Sequence, residues 1–235
     1  MEKFDFFNRK FDEICAMAPT RKNRIETTES TRMQLLSAAQ TAFSEAGLKG
    51  ARIDAIAQRA GVNKQLVYHY FGSKDGLYSA VLEKVYTEIR ESETKLRLEA
   101  FPAEEAMRRL IVFSYDYLAD NPDFVRLLAD ENAHGGRHLN ASDTVIDLNT
   151  PIIELIAETL DRGVQEGIFR IGLDPLHLYL SIAGMSFFYF ANIHTISRIF
   201  GRNFDAPEAR EERRAHIVDF VMNAIRLRTI PANLS

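Results

Sequence analysis

Asn63-Lys64-Gln65-Leu66-Val67-Tyr68-His69-Tyr70 is the stretch that decides how this chain of 235 residues is read. Asn63 is a good helix cap, because its side-chain oxygen can take a free backbone N–H of the first turn. The residues after it predict a short helix. Leu66 and Val67 can face inward. Lys64, Gln65, Tyr68 and His69 cannot all be buried cheaply, so the helix carries a polar surface. Just upstream, Ile53, Ile56, Ala57 and Ala60 give another short helix its apolar side, and Gly61 ends it. Two short helices joined at a glycine are generic. A second helix with this surface is what a reader of the DNA major groove needs, since its first turns approach base edges while the preceding helix braces it. Gln65 offers the paired donor and acceptor that suit adenine, and Lys64 can reach guanine acceptors or phosphate. Tyr68 and His69 can bond phosphate through a hydroxyl and a ring nitrogen. Lys74 and the free N–H groups at the start of the next helix supply a further phosphate contact. From spacing alone, a polar helix face lying in water remains the other reading.

Outward from this stretch the pattern is helical almost everywhere. Apolar residues recur at three- and four-residue spacing and strand-like alternation is nearly absent, so the fold class is all-α. A first helix is predicted from about Ser30 to Glu45, with Met33, Leu36, Ala39, Ala42 and Phe43 inward and Gly47 at its end. The second covers about Ile53–Ala60. After the break at Phe71-Gly72, Ser73 caps a long fourth helix. Asp75 stands in its first turn, where the helix dipole favours a negative charge, and Leu77, Val81, Leu82, Val85 and Ile89 form its buried side.

Beyond Phe101-Pro102, helices are expected over about Ala103–Asp120 and from Asn121-Pro122 to about Glu131. Asn121-Pro122 has the form of a cap followed by proline at the first helical position. A loop, His134 to His138, comes next. A helix follows from about Thr144 to Gly163 or Gly167, kinked or restarted at Pro151. Asp174-Pro175 opens an apolar helix to about Phe200, and Asp205-Ala206-Pro207 opens the last, to about Leu227. Residues 1–28 are separate in character. Phe4, Phe7, Phe11, Ile14 and Ala18 share one helical face there, and Arg21, Lys22 and Arg24 form a basic cluster before the first firm helix.

The hydrophobic share of 46% and charged share of 26% are those of a soluble globular protein. A net charge of −4 argues against coating nucleic acid along the whole surface. The charge is uneven: −1 over residues 1–20, +4 over 21–90 and −7 over 91–235, so an anionic partner is expected for the first part only. Cys15 stands alone, which excludes an intramolecular disulfide and a cysteine metal cage and fits a cytoplasmic protein. The N-terminal residues lack the pattern of a secretory leader. The 18 residues Leu176–Ile193 carry no Asp, Glu, Lys or Arg. His177, Asn192 and several Ser, Gly and Tyr residues favour a helix buried by its own domain and a partner subunit over a bilayer span. Glu131, His134 and His138 have a superficial metal-ligand spacing, but Gly135-Gly136 breaks the helix that would set their geometry. The histidines are read as loop residues in water, with contact to a polar effector from the pocket rim as the other reading of the three, and no metal or cofactor is expected. There is no glycine-rich phosphate loop after a strand and no nucleophile elbow, so no enzyme is expected.

Thr31-Arg32, Ala38-Ala39, Phe43, Gly47, Ile56-Ala57, Ala60-Gly61-Val62, Tyr68, Tyr70-Phe71 and Lys74 together resemble the signature of the TetR family of regulators. Gly163, Gly167-Ile168-Phe169-Arg170 and Asp174-Pro175 resemble a segment before the penultimate helix of many members more loosely. The resemblance implies an N-terminal three-helix head with a helix-turn-helix and a C-terminal helical bundle for effector binding and dimerisation. Residues 29–89 would be the head, with the motif at about 52–71, and residues 90–235 the body. It further implies a homodimer that reads a pseudo-palindromic DNA operator and is released from it by a small effector. The DNA-contacting set is Arg52, Asn63, Lys64, Gln65, Tyr68, His69 and Lys74. Arg52 departs from the family, which usually has Ser or Thr there as a helix cap that also touches DNA. Arginine cannot cap in that way but can reach phosphate.

For the effector, one or two residues of the run Phe187-Phe188-Tyr189-Phe190, together with Tyr115, Tyr117 and Phe124, are candidate pocket residues, with Glu131 at the rim. Packing in the core is their other reading. In the body, Ile217, Phe220, Val221, Ala224 and Ile225 are expected to give the last helix its interface face, with Ala183 and Gly184 allowing close approach. The alternative function is a helical small-molecule-binding or scaffold protein whose head has lost DNA affinity.

Overall fold

The computed structural model describes residues 21–139 and 143–227, and within it the helices run in the order that the periodicity predicts. Helix α1 spans Arg21–Gly50, α2 Ile53–Arg59, α3 Lys64–Phe71 and α4 Lys74–Thr94. A 3₁₀ turn at Leu98–Ala100 leads to α5 at Ala103–Asp120 and α6 at Pro122–Ala133. Then come α7 at Asp143–Gln165, α8 at Pro175–Ala191, α9 at Ile193–Phe200 and α10 at Pro207–Ile225. The apolar face predicted over Phe4–Ala18, and Cys15 with it, lie outside the described residues.

Four local expectations are corrected. The first helix begins upstream of Ser30, so the basic cluster Arg21, Lys22 and Arg24 lies within α1 rather than before it. Met33 is exposed, and Leu35 takes the inward place beside Leu36 and Ala39. Asn121 does not cap α6; its side-chain amide donates back to the Tyr117 carbonyl at 2.8 Å and closes the end of α5. The apolar helix from Pro175 does not run straight to Phe200. It bends by 71° between α8 and α9. Asn192 leaves helical geometry at φ −115°, ψ 10°, and its side chain donates to Phe188 O at 2.9 Å, competing with the backbone ladder at the bend. Among the described residues no single helix is long and apolar enough to cross a bilayer.

The first four helices do not close a core by themselves. Leu35, Leu36, Ala39 and Phe43 of α1, Ile56 and Ala57 of α2, Val67 of α3 and Leu77, Tyr78, Val81 and Leu82 of α4 pack together with Leu118 of α5 and Phe124, Val125 and Leu127 of α6. The head is therefore built on α6 as a floor. A second core, further along the bundle, joins Met107, Leu110 and Ile111 of α5 to Ile152 and Ile156 of α7, Leu178 and Ile182 of α8, and Ile217, Val221 and Ile225 of α10. Each large side chain so buried contributes about 1.5–3 kcal/mol before the cost of ordering it. Gly163 is set by this packing, because a Cβ there would lie 2.0 Å from the Phe169 ring. The segment after it pairs with the end of α10: Arg170 N donates to Ile225 O at 2.9 Å and Leu227 N to Ile168 O at 2.8 Å.

Candidate DNA interface

The turn between α2 and α3 is built as its residues dictate. Ala60 closes α2, Gly61 takes φ +68° and Val62 N donates back to Ala57 O at 3.0 Å, which satisfies the last carbonyls of the helix. Asn63 then caps α3, its side chain accepting from Gln65 N at 2.9 Å. Val67 is fully buried and Leu66 half-buried, while Lys64, Gln65, Tyr68 and His69 stand on the exposed side. Tyr68 keeps 51% of its surface although nothing apolar requires it to be there. A capped helix two turns long, held by one side and polar on the other, is a workable reading head.

The supporting contacts are specific. Lys64 Nζ lies 3.2 Å from Asp54 Oδ1 of α2, an exposed pair that leaves the ammonium accessible. The His69 and Tyr70 rings meet edge to face at 5.1 Å, and Arg32 of α1 lies over the Phe71 ring at 5.7 Å. Gly72, at φ +72°, ends α3 with its N–H on Tyr68 O. Ser73 caps α4 by accepting from Gly76 N at 2.9 Å. Lys74 Nζ donates to Lys49 O at 3.3 Å, so this lysine closes the end of α1 while remaining partly open to solvent. Arg52 occupies the cap position of α2 with an extended backbone and no capping bond, and its side chain is exposed. Lys49, which the sequence reading did not single out, is exposed beside Lys74. Its only sequence signal was a basic residue next to the Gly47–Gly50 turn.

The six effector candidates are scattered. Tyr115 is buried and donates its hydroxyl to Arg210 O at 2.9 Å, with the Phe190 ring 4.9 Å away. Tyr117 and Phe124 touch edge to face at 5.8 Å. Tyr117 faces a cleft of about 640 Å³ between α1, α4 and α5, and burial pushes its hydroxyl up to about 12. Phe187 packs against the head-side core, whereas Phe188 is 59% exposed. Glu131 is buried against His138, with Glu131 Oε2 2.6 Å from His138 Nδ1. His138 is therefore not a loop residue in water, and Glu131 is committed to it rather than to a pocket rim. Among the described residues no group of His, Cys, Asp and Glu has the arrangement of a metal site.

A larger cleft of about 880 Å³ opens between α4, the 3₁₀ turn and α7, with Leu98, Ile152 and Leu155 among its walls. Arg90 and Glu93 lie at its base, their groups 2.5 Å apart and both more than nine-tenths buried. Arg90 also donates to the Tyr179 hydroxyl at 3.0 Å, and its Nε has no hydrogen-bond partner. Burial pushes the Glu93 carboxyl up to about 7, against the pull of Arg90. The sequence reading did not single out these two residues, although Glu93 follows Leu77, Val81, Val85 and Ile89 at four-residue spacing along the buried side of α4.

The chain matches two family descriptions, "Bacterial regulatory proteins, tetR family" over residues 35–81 and "Tetracyclin repressor-like, C-terminal domain" over residues 103–221. It is 34% identical over 209 residues to the HTH-type transcriptional repressor NicS of Pseudomonas putida, covering 88% of this chain and 99% of that one. It is 37% identical over 108 residues to the HTH-type transcriptional repressor SCO4008 of Streptomyces coelicolor, covering 46% and 53%. Among solved structures, the fold is similar to that of the ketosteroid transcriptional regulator KstR2 of Mycobacterium tuberculosis, with a TM-score of 0.60, 21% identity and coverage of 84% and 95%. It is also similar to that of a TetR-like transcriptional regulator from Rhodococcus sp. RHA1, with a TM-score of 0.60, 18% identity and coverage of 83% and 94%.

Proposed function

As the chain belongs to the TetR family of bacterial regulators, we propose that it is a homodimeric, effector-responsive repressor that binds a pseudo-palindromic operator and acts by binding rather than by turnover. The observation that carries this reading is α3: capped by Asn63, anchored by Val67, and exposing Lys64, Gln65, Tyr68 and His69 together. Gln65 reads one base. Lys64, Tyr68 and His69 fix the helix against base edges and phosphates, and Arg52, Lys49 and Lys74 flank it with positive charge. Residues 29–89 act as the head and residues 90–235 as the body, in the cytoplasm where operator DNA lies. Repression is the sense of regulation that the names of NicS and SCO4008 support.

Dimerisation would use α8 and α10. Leu176, Leu180, Gly184 and Phe188 recur every four residues along the exposed side of α8, and Gly184 has open space where a side chain would stand. Phe220 is the exposed aromatic of α10, while Ile217, Val221 and Ile225 serve the chain's own core instead of the interface face predicted for them. Two copies joined there set their α3 helices about one DNA turn apart, roughly 34 Å.

The effector's seat on this reading is the cleft over Arg90 and Glu93, because it is roomy and has a buried donor without a partner. Helix α4 carries Arg90 and Glu93 near one end and Lys74 at the other. A ligand that binds one head spacing better than another shifts the dimer toward it.

Binding of the full-length protein to DNA from its own upstream intergenic region tests the reading. The double variant Tyr68→Ala/Lys74→Ala is expected to bind more weakly across sequences and with a shallower salt dependence. Unchanged affinity and an unchanged salt slope would sink it.

A further inference from the structure

The seam between head and body holds a chain of acids and imidazoles that the proposed DNA-reading surface does not use. At Gly47 the backbone of α1 turns out of helical geometry at φ +66°, which frees the next N–H groups. The Leu48 N–H is taken by Asp130 Oδ2 of α6 at 2.9 Å. The same oxygen accepts from the Tyr78 hydroxyl of α4 at 2.9 Å. A Cβ on Gly47 would lie 2.7 Å from Asp130 Oδ1, so the kink and the carboxylate are fitted to each other. One side chain of α6 thus fastens both the end of α1 and the first turns of α4.

Beside it, His138 lies between two carboxylates. Its backbone N–H donates to Glu131 Oε1 at 2.7 Å, its Nδ1 is 2.6 Å from Glu131 Oε2, and its Nε2 is 3.1 Å from Asp75 Oδ1. Asp75 stands in the first turn of α4, one residue after Lys74. The other charged or titratable groups around the ring are Asp130 of α6, His134 at the C-terminal cap of that helix, Tyr78 of α4 and Arg137 of the same loop. The His134 ring lies 6.1 Å away, the Tyr78 ring meets it edge to face at 5.0 Å, and Arg137 Nη2 is 3.6 Å from Asp75 Oδ1. An imidazole can donate to a carboxylate from both nitrogens only when both carry a proton. Arg137 Nε points at His138 Nε2 from 3.2 Å, a bond open only while that nitrogen lacks a proton; once the nitrogen is protonated, Asp75 Oδ1, 3.6 Å from Arg137 Nη2, is the partner left to the guanidinium. The hydrogen bond from His138 holds the Asp75 carboxyl below the usual carboxylate range. Ser79 Oγ donates to the His138 carbonyl at 3.2 Å and adds a neutral stitch to α4.

We propose that Asp130 and His138 are positioning residues for DNA binding: together with Glu131 and Asp75 they form an ionic joint that sets α3 and α4 on the body, and the joint closes fully only when His138 is charged. Neither residue reaches the DNA-reading face. They act through α4, whose first turn abuts the end of α3. Deprotonation of the ring leaves one of its two carboxylates facing a nitrogen with no proton. Opening the joint frees the head to adopt orientations that suit the operator less well. The proposal rests on the operator-binding reading for its consequence, but the joint itself can be measured without DNA.

The test uses full-length protein and the duplex of its own upstream intergenic region at fixed salt, between about pH 6 and pH 8.5, across which imidazole side chains lose their charge. Amide exchange of Leu48 is followed in the DNA-free protein over the same range. In the wild type, affinity is expected to fall about 5- to 10-fold more over this range than in His138→Gln, with faster Leu48 exchange at the higher pH once the intrinsic rate is divided out. His69 stays in both proteins, so its contribution cancels in the comparison. Glu131→Gln keeps an acceptor for the His138 N–H and guards against a variant that fails to fold; it too is expected to lose the pH step. The proposal is overturned if either folded variant keeps the wild-type pH profile, or if binding weakens by one constant factor at every pH, which marks a merely structural role. If the wild type binds none of the DNA, the operator reading fails while the exchange comparison still judges the joint.

Discussion

Gly76 stands in the first turn of α4, directly under the end of the recognition helix. A Cβ there would lie 2.1 Å from the Phe71 carbonyl oxygen, which is backbone and cannot swing aside. The Ser73 cap occupies the same corner, with Gly76 N as its donor. The absence of a side chain therefore lets α3 and α4 meet at their present angle. Gly76→Ala is expected to cost about 1–3 kcal/mol of stability, in the range of an overpacked core position, as read by denaturant unfolding. DNA affinity should fall further than the unfolded fraction explains, because the displaced element is the one proposed to read DNA. A variant of wild-type stability and affinity would show that the corner is looser than this geometry.

At the scale of the element, α4 carries two polar systems at opposite ends: Asp75 with His138 near the head, and Arg90 with Glu93 under the larger cleft. Glu93 provides a pH test. Its folded value is raised to about 7 from an ordinary 4.5 because burial disfavours the charge. Between those values the folded chain holds a proton that the unfolded chain has released. Stability conferred by that proton is fully present below the unfolded value and is lost as pH rises through the folded one. The melting temperature should therefore drop as pH climbs from about 5 to about 8, by an amount on the order of 2 kcal/mol in unfolding free energy. Glu93→Gln removes the titrating group, so its melting temperature should change less over that range. Parallel curves for the two proteins would remove Glu93 as the cause. The bend between α8 and α9 is also an element-scale feature. It turns Ile199 and Phe200 outward, where a straight helix would have carried them along the bundle.

For the whole molecule, the exposed apolar side chains lie largely in one half of the chain. Leu176, Leu180 and Phe188 on α8, Ile199 and Phe200 on α9, and Phe220 on α10 are uncovered in a single copy. A monomer seldom leaves that much apolar surface in water. Placing a charge in the stripe should break an interface built on it, so Leu180→Glu/Phe188→Glu is expected to sediment as a monomer. It should also lose most of its operator affinity, since two heads no longer bind as one unit. Retention of a dimer by this variant would place the interface elsewhere.

The head was legible in the sequence because its signals are local. A cap residue, a glycine at positive φ, a four-residue apolar spacing and a polar helix face all lie within a few residues of one another. Asn63, Gly61, Val67 and Ser73 do in the structure what their chemistry implies. The body's helices were equally legible, down to the cap at Asp174. Failures came where backbone competition or distant packing decides. Asn121 turned back to the preceding helix, and Asn192 bent what periodicity alone would continue. Tyr115, Tyr117, Phe124, Glu131, Phe187 and Phe188 were grouped by residue type, yet the fold sends them to different surroundings. Arg90 and Glu93 drew no reading from the sequence, and their burial depends on α7 and α8 closing over them. His138 resembled a loop histidine until α4 and α6 placed Asp75 and Glu131 on its two nitrogens. By itself, then, the sequence determined most of the helices and the exposed polar face of α3, since those depend on neighbours in the chain. Only the tertiary structure decided which polar side chains are buried and with whom, because that depends on groups dozens of residues apart losing their water to each other.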